Sequence, residues 1–284
     1  SPFPGREFTF RQLLSHTSGL AAWKPFYEQM IQKFVGMDQV IHAGSAIGAK
    51  QVQNISNQAA DQLMQVSMSE RRSFFDSLIL QESPITQPGE KIVYSDIGFS
   101  LLMIHAERSS GVEFHKLVNQ EVWSAIPESG LHYRELNPHQ TVGSGVAATE
   151  WCRWRGLLQG EVHDDNAWSR GGVAGHAGVF GSLEDVIRWM LHLVEGRLVS
   201  MKTLHEFSRP MMSADGAKRG LGFDFSSHSS HSTATIGHLG FTGTSLWMDL
   251  DRGEFAALLS NRVHPSREDT RIRELRSVFH QSLG

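Results

Sequence analysis

The chain has 284 residues, 40% of them apolar, and a formal net charge of -4 with histidine neutral. That is enough apolar material for one large domain or two small ones, and it excludes global disorder. No basic stripe marks a nucleic-acid surface, no apolar run approaches a membrane span, and one cysteine, Cys152, excludes an intrachain disulfide framework.

The chain opens Ser1-Pro2-Phe3-Pro4-Gly5, with no initiator methionine and no signal-type leader, so upstream sequence is expected. Residues 9–14 read as a short helix, with Thr9 as cap and Leu13 and Leu14 as anchors. His16-Thr17-Ser18-Gly19 ends it, and Gly19 suits a left-handed C-cap. Residues 23–80 read as interrupted helix. Trp23, Phe26, Tyr27, Met30, Ile31 and Phe34 recur at three- and four-residue steps, and 58–67 and 70–80 form two further amphipathic stretches. Pro84, Pro88 and Gly89 mark a turn.

Residues 98–109 are almost continuously apolar, which predicts a central, buried helix. Helices are also expected over 113–123, over 148–159 and over 182–193. In the last of these Ser182 and Asp185 form a near-capping box. Short strands are expected over 221–225, 235–238, 244–250 and 255–261, with Asp251-Arg252-Gly253 as a hairpin loop. The chain then returns to helix over 267–283, with Ile272, Leu275, Val278 and Phe279 on one face. The division expected is 8–181, mainly helical, and 182–284, an antiparallel sheet over about 221–261 with flanking helices. The run Ser226–Ser232 is a low-complexity loop. Its two histidines, His228 and His231, have only Asp224 as a nearby acid, so it reads as a loop and not as a metal site.

Three segments carry polar groups suited to chemistry. In Tyr94-Ser95-Asp96, a tyrosine and a carboxylate at i and i+2 of an extended segment point the same way. The carboxylate can bind a lysine or a substrate amide, and the phenol can pass a proton beside a cation. In Gly237-His238-Leu239-Gly240-Phe241-Thr242-Gly243-Thr244, a strand runs into a glycine-rich turn. Gly240 allows close backbone approach, and the Phe241 N–H can form half of an oxyanion hole. His238 and Leu239 face opposite ways, and the histidine is the better candidate for a cleft. The run Gly171–Gly181, which contains His176, is weak as a nucleotide motif and reads as a tight connection against a cleft.

Taken in order, these segments resemble the serine beta-lactamase and penicillin-binding-protein superfamily, in its class C-like branch of esterases and D-amino peptidases. Residues 9–20 match the signature that follows the nucleophile helix in that branch. Tyr94-Ser95-Asp96 matches its Tyr-x-Asn motif, with Asp in place of the commoner Asn. Residues 174–182 match its glycine-rich entry to the helix before the sheet. His238-Leu239-Gly240 matches the Lys-Thr-Gly triplet in a His-x-Gly form, and Asn261–Pro265 with the final helix match its C-terminal end.

The resemblance implies an α+β fold of the beta-lactamase/transpeptidase type, a mostly helical region plus an antiparallel sheet flanked by helices. It also implies an acyl-enzyme mechanism on an ester, a lactam or a cell-wall-type peptide, with no cofactor and no metal. Tyr94 would be the acid/base and Asp96 the polar partner of the lysine. His238 would be the cationic or hydrogen-bonding neighbour of Tyr94. Gly240, Phe241, Thr242 and His176 would line the substrate site. The family's Ser-x-x-Lys has no counterpart, since no serine here has a lysine three positions later. The N-terminal strands and nucleophile helix are therefore expected upstream of this chain. The alternative is a non-catalytic relative that binds a peptide, glycopeptide or protein. Asp for Asn leans toward esterase or peptidase chemistry, because a carboxylate cannot donate to a substrate carbonyl. An unpaired sheet edge would favour a dimer. The family resemblance favours a periplasmic or secreted location.

Overall fold

The computed structural model describes residues 8–36, 58–137, 145–226 and 231–281. The opening segment Ser1–Gly5, the middle of the helical stretch expected over 23–80, and His228 lie outside the described residues.

The first half is helical. In α1 (Phe10–Leu14) Thr9 closes a capping box: its hydroxyl receives the Gln12 N–H at 3.2 Å, and the Gln12 side chain receives the Thr9 N–H at 2.9 Å. Ser15 caps its end, and the left-handed residue directly after it is His16, at φ 57°; the expected Gly19 is left-handed too, at φ 78°, but lies past the cap. Gly19 is needed for a second reason. The loop at 84–86 crosses it, Ile85 donating to its carbonyl at 2.8 Å, and a Cβ there would meet the Thr86 oxygen at 2.2 Å.

The helices α2 (Phe26–Val35), α3 (residues 58–65), α4 (Met68–Gln81), α5 (Asp96–Ser110) and α6 (Phe114–Glu121) follow. α5 starts where the Ser95 hydroxyl receives the Gly98 N–H at 3.2 Å, and ends at left-handed Gly111. Its Ile97, Leu101, Met103 and Ile104 are buried, as the apolar run predicts. Each such side chain taken from water contributes ~1.5–3 kcal/mol. They pack with Phe26, Met30, Leu63, Phe75, Trp154 and Trp168 in one core.

The helix expected over 148–159 is instead a hairpin of β2 (Ala148–Cys152) and β3 (Gly156–Gln159). Burial alternates along β2: Glu150 and Cys152 turn in and Trp151 turns out, which is strand and not helix periodicity. Gly156, at φ +73°, makes the turn possible. Outside this hairpin, β1 (His132–Tyr133) pairs with β4 (Val179–Phe180). Between β3 and β4 lies α7 (Asp165–Arg170), whose Arg170 is buried against Asp76 of α4 and Glu107 of α5.

In the second half α8 (Leu183–Val194) begins with the expected capping box of Ser182 and Asp185. α9 (Met201–Phe207) and a small pair of strands, β5 (Met211–Met212) and β6 (Lys218–Arg219), lead to the main sheet. That sheet is antiparallel, in the order β10 (Glu254–Leu258), β9 (Ser245–Asp249), β8 (Thr235–Leu239), β7 (Asp224–Phe225). The strand expected over 221–225 thus shrinks to its last two residues. Gly237 lies opposite Trp247, where a Cβ would meet the Leu246 oxygen at 2.0 Å and the indole at 2.6 Å. Met190 and Leu193 of α8 cover one face, packing with Ile236 and Met248.

The final helix, α10 (Ile272–His280), departs from expectation. Of its apolar stripe only Ile272 is buried, while Leu275, Val278 and Phe279 are 52%, 68% and 37% exposed. It is tied to the sheet by His280, whose Nε2 lies 2.8 Å from the Ser245 hydroxyl. Among the described residues β10 pairs only with β9, so its outer edge is open. No described helix is long and apolar enough to cross a membrane.

Candidate active site

Tyr94 precedes the cap of α5, and Asp96 is the first residue of that helix. The two therefore do not share an extended segment, because Ser95 turns the chain into the helix between them. The Ser95 N–H also donates to His16 Nδ1 at 2.9 Å. That bond holds the His16 ring 4.6 Å from the Tyr94 ring. Burial, then the nearby Arg219, lowers the His16 pKa to about 3, so this ring is neutral.

On its other side Tyr94 faces His238, the ring centroids 5.6 Å apart. The guanidinium of Arg219 lies over the Tyr94 ring, its Cζ 5.2 Å from the centroid. Burial and then the Asp96 charge raise the Tyr94 pKa, against the opposing pull of Arg219. At neutral pH Tyr94 is therefore a phenol with a proton to give.

Asp96 belongs to a second cluster. One ligand-type atom from each of Asp96, Asp164 and His176 lies within 4.8 Å of the others. His176 is engaged at both nitrogens: Nε2 is 3.1 Å from Asp164 Oδ1 and Nδ1 is 3.3 Å from the Ser100 hydroxyl. Burial opposes charge on both Asp164 and His176, yet their mutual attraction prevails, lowering the first pKa and raising the second. Asp96, with burial first and Asp164 beside it, is raised. The Asp164–His176 contact ties two members of the cluster together, while burial opposes charge on Asp96.

The turn after β8 is fastened from four sides. Gly240 donates to the Thr244 carbonyl at 2.7 Å, and Arg276 reaches the carbonyls of Gly240 and Thr244. Arg262 donates to the Phe241 carbonyl at 2.8 Å, and the Ser260 hydroxyl to that of Gly243 at 3.0 Å. The Phe241 ring is held between Arg262, 4.4 Å away, and His163, stacked at 5.5 Å. His163 in turn meets Glu150 at 2.8 Å, and Arg267 grips the same carboxylate. Burial lowers the His163 pKa, so this is a neutral imidazole donating to a carboxylate. The Phe241 N–H has no hydrogen-bond partner among the described residues. His238, Gly240 and Thr242 line a cleft of about 760 Å³, together with Arg134, Phe180 and Asn261. Tyr94, Asp96, His176 and Phe241 do not line it.

The family model described as Beta-lactamase matches residues 2–279. The chain belongs to the beta-lactamase family. Among curated relatives of this beta-lactamase-family chain is a Salmonella heidelberg protein (strain SL476) with the provisional name D-alanyl-D-alanine carboxypeptidase. It is 29% identical over 217 residues, which is 66% of this chain and 49% of the relative. The chain thus spans about half the length of the curated relatives it matches. A penicillin binding protein from Bacillus halodurans superposes with a TM-score of 0.61 at 17% identity, covering 98% of this chain and 74% of that one. A D-amino acid amidase from Ochrobactrum anthropi SV3, in complex with D-phenylalanine, gives 0.52 at 14% identity, covering 89% and 71%. Such neighbours bear on the fold, and the beta-lactamase/transpeptidase architecture is the one this chain has.

Within that beta-lactamase fold, Tyr94 and His238 come together, and Asp96 and His176 come together. Arg219, Asp164 and His16 are neighbours that sequence reading did not single out as site residues. Asp164 carries a faint signal, an acid doublet ahead of Ala167-Trp168 that reads as a helix cap. Arg219, in a two-residue strand, carries none.

Proposed function

We propose that this chain carries the tyrosine and oxyanion-loop side of an acyl-enzyme serine hydrolase, with the serine and its lysine supplied from upstream. Esters, lactams and D-amino peptides all suit that chemistry. The names of the relatives favour a peptide that ends in D-amino acids. The observation that carries the reading is a protonated Tyr94 beside His238, on a strand whose following turn holds a Phe241 N–H with no hydrogen-bond partner among the described residues.

In this reading the serine attacks the carbonyl and passes its proton to the lysine. The oxyanion takes the Phe241 N–H and the serine's own N–H. Tyr94 gives its proton to the leaving amine or alcohol and regains one from the lysine; water then attacks the acyl-enzyme, its proton passing through the same pair to the departing serine oxygen. Asp96 faces the lysine, and His176 stands beside it, held by Asp164 and Ser100.

The test is covalent labelling, by a fluorophosphonate or a fluorescent penicillin, of the protein expressed from its whole reading frame. Labelling at one serine is expected, with Tyr94→Phe slowing acylation by about 10²–10⁴-fold. A folded protein that takes no label overturns the reading. Saturable binding of wall-type peptides without turnover would put a binding protein in its place.

A further inference from the structure

Arg219 reaches the site from β6, whose register sets it opposite Met211, and it is 8% exposed. Its side chain has two polar neighbours there. One Nη lies 3.3 Å from His238 Nε2, and the other lies 3.5 Å from an oxygen of Asp224. Its Cζ stands over the Tyr94 ring.

A guanidinium has donors and no acceptor. The His238 nitrogen that faces it must therefore accept, and Nε2 carries no proton. A neutral ring that accepts at Nε2 carries its proton on Nδ1. Burial and then the guanidinium both oppose a second proton, so the imidazole carries no charge. The family resemblance allows His238 to be the cation beside the tyrosine, whereas the bonding pattern assigns it a different task.

We infer that Arg219 is the cation of this site and a positioning residue for Tyr94, and that His238 is a neutral Nδ1–H imidazole that holds Arg219 in place. A guanidinium is a permanent charge with a rigid fork of donors, so the field at the phenol does not vary with pH as a histidinium's would. The groups around His238 are Arg219 from β6, Asp224 from β7, Tyr94 from the loop before α5, and His16 from the end of α1. Arg219 opposes a proton on His238, and Asp224 favours one. Burial adds to the opposition. Arg219 also draws Tyr94 toward the phenolate, the direction an acid/base tyrosine needs.

The use of this charge rests on the acyl-transfer reading above. The tautomer does not, and it can be read without any turnover on the protein expressed from its whole reading frame. The experiment is long-range proton–nitrogen NMR of the histidine rings, with His238→Gln to assign the signal. In the wild type the His238 ring is expected to be neutral and Nδ1-protonated at neutral pH, with a midpoint below the ordinary value of about 6.5. Arg219→Gln should raise that midpoint by about one pH unit, and Arg219→Lys should leave it depressed. An Nε2–H or doubly protonated ring in the wild type overturns the inference, as does an unchanged midpoint in Arg219→Gln. Should Arg219→Gln fail to fold, the wild-type tautomer still decides. A protein that takes no covalent label yet shows this tautomer would lose the function and keep the assignment.

Discussion

Nε2 of His176 lies 3.1 Å from Asp164 Oδ1, the oxygen that also receives the Ala167 N–H at 2.7 Å and so caps α7. The pair has opposite shifts, His176 raised and Asp164 lowered. A raised histidine lends stability fully below its unfolded value of about 6.5, and loses it as pH climbs through its folded value. A depressed carboxyl lends stability above its unfolded value of about 3.9, and loses it as pH falls through its folded value. The melting temperature should therefore decline from about pH 6.5 upward, and His176→Gln should flatten that decline. Melts across the range would check this, and identical slopes for both proteins would count against it.

Asp164 does two jobs that substitution can separate. Asp164→Asn keeps an oxygen for the Ala167 N–H and removes the charge beside His176. Asp164→Ala removes both. The alanine variant should be less stable than the asparagine variant by about 1 kcal/mol, the usual worth of a helix cap. Urea denaturation of the two proteins is the measurement, and equal midpoints would show that the cap contributes nothing.

Gly237→Ala should destabilise by about 1–3 kcal/mol, because the added methyl meets a backbone oxygen and a buried indole at the centre of the sheet. Gly253→Ala is the control. Nothing lies within 4 Å of a Cβ there, and its positive φ is the only penalty. If the two variants melt together, close packing of Trp247 on the strand is not what requires glycine.

Arg170 is 1% exposed and joins three helices through Asp76 and Glu107. Burial is the largest influence on Asp76 and keeps its carboxyl high in spite of the guanidinium. Arg170→Ala leaves two carboxylates without their partner and should cost about 3–5 kcal/mol. Arg170→Met with Asp76→Leu and Glu107→Leu should recover most of it, since packed apolar groups often replace a buried ion pair without loss. Chemical denaturation of both variants decides between ion pairing and packing.

The sequence carried the helices and the main sheet well where one signal dominated. Thr9, Ser95 and Ser182 cap as their positions predict or permit, and the apolar run of α5 is buried. It failed where the signal was a pattern shared by two structures. Residues 148–159 have apolar spacing that fits either helix or hairpin, and only pairing across the turn decides. The apolar stripe of α10 was legible as a stripe, but a stripe does not say what it meets. Tyr94 and His238 could be named from motifs because each lies in a distinctive run of residues. Arg219 and His16 could not, since each meets Tyr94 across more than 70 positions of chain.

The exposed side chains of α10 have a practical outcome. Leu275 and Val278 stand open to solvent on the folded chain, beside a partly exposed Phe279. Dyes that brighten on apolar surface need such a patch, and they normally find it only after a protein loosens. Here the folded 284-residue chain should already light them when cold. A dye-based melting curve would then begin from a high baseline and could even fall on heating. Tryptophan emission or circular dichroism is the sounder thermometer for every comparison proposed above.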